Sequence, residues 1–78
     1  MQRIEFDYSK LRGRIKEKYG TEDSFSNVIG LSNPALSSKL NNKVGFKSEE
    51  IERCCHLLEI PYHEIKLYFF TVKTKKTS

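Results

Sequence analysis

Residues 21–42 read TEDSFSNVIGLSNPALSSKLNN, and the glycine in their middle decides the fold. Before it, Phe25 and Ile29 fall four residues apart, the spacing of a short amphipathic helix, with Ser26 beside them small enough for a second helix to approach. Thr21 starts that helix, and Glu22 and Asp23 follow where the helix dipole favours acids. Gly30 accepts the positive φ that ends a helix in a tight turn. After it, Ser32 or Asn33 caps a second helix. Pro34 is tolerated in its first turn, where amides have no intrahelical acceptor. Leu36 and Leu40 anchor this helix at i, i+4, and Leu31 is expected to tuck between the two. Helix, glycine turn, helix is the layout of a helix-turn-helix, whose second helix is shaped for the DNA major groove.

The flanks add three more helices. Asp7 reads as an N-cap, with Phe6 stapling onto Leu11. Tyr8, Leu11, Ile15 and Tyr19 then share one face, and Gly20 ends the first helix. Gly13 inside it costs about 1 kcal/mol relative to alanine, so this helix relies on packing. Ser48 with Glu49 and Glu50 opens a fourth helix that buries Ile51, Cys54 or Cys55, and Leu58. Pro61 suits the start of a fifth, with Ile65 and Phe69 facing the core. Residues 68–72 read equally as helix, coil or a short strand. Residues 1–72 therefore predict one compact all-α domain of five helices, and residues 73–78 a disordered basic tail.

Seventy-eight residues leave room for one core only, and 37% hydrophobic with 31% charged residues describes a globular chain. No apolar run approaches the ~20 residues of a membrane span. The opening MQRIEFDY lacks the apolar block of a secretory signal, so a cytoplasmic protein is expected. The net charge of +4 suggests an anionic partner, but three of those charges are Lys73, Lys75 and Lys76, without which the body is +1. Lys10, Arg12, Arg14, Lys16 and Lys18 make the first helix basic. Lys39, Lys43 and Lys47 form a second basic stretch, while residues 49–64 are acidic. Adjacent Cys54 and Cys55 are poor disulfide partners, and with His56 and His63 they match no common zinc spacing. No metal or cofactor is expected. No nucleophile elbow, metal spacing or phosphate loop points to an enzyme.

Phe6-Asp7-Tyr8-Ser9-Lys10-Leu11-Arg12-Gly13-Arg14-Ile15 resembles the opening of Cro-type regulators from temperate phages of Gram-positive bacteria. Leu36-Ser37-Ser38-Lys39-Leu40-Asn41-Asn42-Lys43 is similar to their recognition helix and following loop. Residues 50–61 and 68–71 are similar to their C-terminal half. Among these regulators the chain looks most like the modulators of repression, or antirepressors, of lactococcal temperate phages. The resemblance spans about residues 6–71. It implies the five-helix domain of lambda-like repressors, a place in the lysis–lysogeny switch opposite a CI-type repressor, and the cytoplasm of a bacterial host. Gly30 and Leu36 match the ninth and fifteenth positions of the helix-turn-helix pattern, and Ser26 replaces the usual alanine at the fifth. The eighteenth position is Lys39 rather than an apolar residue. Leu40 is expected to take over the anchoring role, rotating the outward face of the second helix.

Two functions suit this scaffold. In the first, the helix-turn-helix face docks on the N-terminal DNA-binding domain of a CI-type repressor and covers its recognition helix. Val28, at the outward seventh position, would join Asn33, Pro34 and Ala35 in that face, together with Ser37, Ser38, Asn41, Val44 and Phe46; Phe46 reads equally as a core residue, and Val44 less so. Small and apolar groups rimmed by Ser and Asn suit a packed protein interface. In the second, a Cro-type repressor binds operator DNA directly. Asn33, Ser37 and Ser38 would then meet bases, while Lys39, Asn42, Lys43 and Lys47 would reach the backbone. With no arginine or glutamine on the helix, base discrimination would be weak. A complex with the repressor that itself touches operator DNA is a mixed outcome.

Overall fold

Apolar residues spaced three and four apart along the chain converge on one core, and the computed structural model describes residues 4–73 of it. The helices are α1 (Ser9–Tyr19), α2 (Glu22–Ile29), α3 (Asn33–Leu40), α4 (Ser48–Leu58) and, after a 3-10 turn at Tyr62–Glu64, α5 (Ile65–Phe69). Leu11, Phe25, Leu36, Leu58 and Phe69 are almost wholly withdrawn from solvent, one from each helix. Among the described residues the fold is all-α with five helices, as its periodicity predicts.

Local corrections are small and physical. Asp7 is not the N-cap of α1. Its carboxylate accepts the Ser9 N–H at 2.9 Å, closing a turn that ends where the helix begins. The ring of Phe6 meets Tyr8 and Phe70. Ser48 opens α4 as expected; Lys47 precedes the helix, and its N–H donates to the Glu50 carboxylate at 2.8 Å. Both cysteines are buried and free, and burial pushes the Cys54 thiol up to about 12.

Residues 68–72, open among helix, coil and strand by sequence, finish a helix and then form a single bridge. Helix α5 runs to Phe69, after which Val72 pairs with Phe6 in an antiparallel bridge. The Asp7 N–H donates to Thr71 O at 2.7 Å and the Lys73 N–H to Glu5 O at 2.8 Å. Lys73, assigned by sequence to a disordered tail, is therefore tied to the N-terminal arm. Residues 74–78 of that tail lie outside the described residues.

Three arginines close three helix ends. Arg12 forms an ion pair with Glu22 at 2.7 Å and donates to Leu40 O, at the end of α3, at 3.3 Å. The Arg14 Nε donates to Leu58 O, at the end of α4, at 2.9 Å. Arg53 donates to Ile29 O, at the end of α2, at 2.7 Å. Each guanidinium meets carbonyls left without an intrahelical partner, at the negative end of a helix dipole. No helix among the described residues is long and apolar enough to cross a membrane.

Candidate functional site

The α2–α3 unit is held by local chemistry at every joint. The Thr21 hydroxyl accepts the Ser24 N–H at 3.0 Å, and the Ser32 hydroxyl accepts the Ala35 N–H at 3.2 Å. Between the helices, Gly30 adopts φ 83°, and the N–H groups of Gly30 and Leu31 both donate to Ser26 O. Ser26 is buried, as a close helix approach requires, and its hydroxyl donates to Asp23 O at 2.7 Å. With Arg53 on Ile29 O, the turn is fixed from both sides.

This scaffold presents a face of uncharged side chains. Val28 is 51% exposed on α2, and Asn33, Pro34 and Ser37 are exposed on α3, with Ala35 and Ser38 half-buried. The Asn41 amide is occupied locally: it donates to Ser37 O at 2.9 Å and accepts from Arg12. Val44 is exposed in the following loop, flanked by exposed Lys43 and Lys47.

Three expected site residues turn elsewhere. Lys39 is only 7% exposed. Its Nζ lies 3.0 Å from the Glu50 carboxylate and donates to Gly45 O at 3.1 Å, so it does not reach a phosphate. Leu40 is buried beside it, so anchoring is shared: both residues point inward. Asn42, at φ 64°, uses its side-chain amide to accept from Phe6 N and donate to Phe6 O, both at 2.9 Å, joining α3's end to the N-terminal arm. Phe46 is half-buried; its ring meets Tyr8 at 5.4 Å and Phe69 at 5.3 Å, which makes it a wall of the core rather than part of a free patch.

A family model described as "Protein of unknown function (DUF739)" matches residues 4–72. The chain belongs to the DUF739 family. It is also similar to the modulator of repression of the temperate bacteriophage TP901-1 from Lactococcus lactis, known from a solution structure. The two are 44% identical, with a TM-score of 0.77 over 90% of this chain and 95% of that one. The resemblance to lactococcal modulators of repression read from the sequence is thus shown. No curated protein matches the chain.

In this DUF739 protein the charges that sequence spacing assigns to the surface are partly structural. Arg12 and Arg14 read as a basic helix face, yet both reach carbonyls on other elements, and Arg53 does the same. No local pattern announces such contacts. Glu50 is the electrostatic centre beneath α3. Burial alone would raise its pKa; the Lys47 N–H and the Lys39 ammonium outweigh that and hold it below its ordinary value. The Glu50 carboxylate is therefore ionised at neutral pH. Among the described residues, no cluster of His, Cys, Asp and Glu could hold a metal.

Proposed function

We propose that this protein is a phage genetic-switch regulator that binds a partner repressor of CI type. Its α2–α3 face docks on the repressor's DNA-binding domain and competes with operator DNA for that surface, favouring lysis over lysogeny. One observation carries the reading: Val28 on α2 and the exposed residues of α3, Asn33, Pro34 and Ser37, include no arginine or lysine. Arg12, Arg14 and Arg53 are committed to helix ends, and Lys39 to a buried ion pair. Base reading rests largely on two-pronged contacts from Arg, Asn or Gln, and along α3 Asn33 is the one residue of those types. An apolar group ringed by small polar ones is better suited to a dry protein contact. Similarity to a protein named for modulating repression supports the same class of function.

Direct operator binding keeps Asn33, Ser37, half-buried Ser38, Lys43 and Lys47, and loses Lys39 and Asn42. A gel shift separates the two. The partner-binding reading expects the chain to leave the switch-region DNA unshifted alone and to change the shift made by the repressor. A shift by the chain alone, weakening steeply with salt, establishes direct binding instead.

A further inference from the structure

The pattern of a helix-turn-helix places an apolar residue where this chain has Lys39, and a methionine there would fill the same core volume. What lysine adds is a charge and donors. Its Nζ meets both the Glu50 carboxylate at 3.0 Å and the Gly45 carbonyl at 3.1 Å. The same carboxylate accepts the Lys47 N–H at 2.8 Å. At the near end of this loop, the Lys43 N–H donates to Ser38 O at 2.9 Å. The 43–47 loop is thus bracketed by hydrogen bonds from the end of α3 and the start of α4, with one ion pair at the centre.

Phe46 packs the middle of the loop on Tyr8 and Phe69, but Val44 is exposed and has no such anchor. The loop borders a cleft of about 360 Å³ shared with Phe6, Ile51 and Phe70, so one side of it has room to move. Buried ion pairs add little net stability, because desolvating two charges offsets most of their attraction; exchanging the pair for apolar residues is often neutral or stabilising. An arrangement that is dispensable for folding yet dictates where one loop lies is a positioning device.

We infer that the buried Lys39–Glu50 pair positions the 43–47 loop beside α3, and that docking on the partner depends on this placement. The inference rests on the partner-binding reading above for its functional half and on geometry alone for its structural half. Val44, exposed on the loop, is the side chain whose position it sets. Lys39 and Glu50 would touch no partner atom and act through the loop.

The test replaces both charges at once, as K39M/E50L in the full chain, and reads three quantities. Unfolding by urea should show a midpoint equal to or above the parent's. Amide exchange at Lys47 should quicken by about tenfold, because its N–H loses the Glu50 acceptor. Affinity for the repressor's DNA-binding domain, measured by calorimetry, should fall by about tenfold, since the loop must then be ordered on binding. Should the double variant fail to fold, K39M/E50Q serves instead: it keeps the shape of residue 50, leaves no buried charge unpaired, gives the Lys47 N–H a weaker acceptor, and should quicken the same amide and weaken the same binding. Unchanged exchange at Lys47 overturns the structural half. Faster exchange with parental affinity overturns the docking half and leaves the partner reading intact. Parent protein that binds no repressor domain sinks the partner reading and the docking half together, while the exchange result still decides the loop.

Discussion

Val28 offers the sharpest handle on the proposed interface. It lies on α2 with 51% of its surface exposed, so about half of its burial remains available to a partner. Burying a whole valine stabilises by roughly 1.5–3 kcal/mol, which puts the available half near 1 kcal/mol. Val28→Ala should therefore weaken repressor binding by about fivefold, at 1.4 kcal/mol per tenfold. Val28→Glu should do more, because the contact must then also desolvate a carboxylate, adding roughly 2 kcal/mol or more. The combined loss of about 3 kcal/mol corresponds to at least a hundredfold weaker complex. Neither change should move the unfolding midpoint by more than about 0.5 kcal/mol equivalent, since an exposed helix position makes few native contacts. Calorimetric titration against the repressor's DNA-binding domain reads the affinity, and urea unfolding reads the stability. A Val28→Glu protein that is folded and binds within twofold of the parent refutes the assignment of this face.

Further outcomes follow from the same geometry. Arg53→Ala removes the guanidinium from Ile29 O and should destabilise the fold by about 1–2 kcal/mol in urea unfolding; a loss under about 0.5 kcal/mol would show the cap to be idle. Gly13→Ala meets nothing within 4 Å and lies inside α1, so it should raise stability by about 0.5–1 kcal/mol with repressor binding unchanged. Glu50 titrates below its ordinary 4.5 in the folded protein, so its contribution is complete above that pH and is lost as the pH falls through the lower folded value. Glu50→Gln should accordingly flatten part of the acid limb of a stability–pH curve below about pH 4.5, leaving the share of Asp7 and Glu59, whose carboxyls are also depressed by hydrogen bonds.

The parts of this fold that sequence reveals are those set by near neighbours. Gly30 marks its turn because a positive φ is a local demand, and Leu36 with Leu40 marks the inward stripe of α3 because four residues make one helical turn. Lys39 escapes such reading. Its partner Glu50 lies eleven residues on, across a loop whose path no periodicity describes, and a lysine between a serine and a leucine reads as a surface charge. Asn42 is hidden for the same reason: it binds the backbone of Phe6, thirty-six residues away. The arginine caps span twenty-four to forty-four residues and turn what reads as a basic face into internal fastening. Phe46 is drawn into the core because the Tyr8 and Phe69 rings meet it edge-on, a contact only the packed helices create. Val28, Asn33, Pro34 and Ser37 stay where helical phase puts them, and these four define the face.

Amide chemical-shift mapping on the isotope-labelled chain tests that face most directly, with the repressor's DNA-binding domain and an operator duplex added in separate titrations at physiological salt. Saturable shifts are expected at Val28, Asn33 and Ser37 with the protein domain, and none at those amides with the duplex. Saturable shifts at Asn33, Ser37 and Ser38 with the duplex, and a silent α2–α3 face with the repressor domain, would contradict the partner-binding reading.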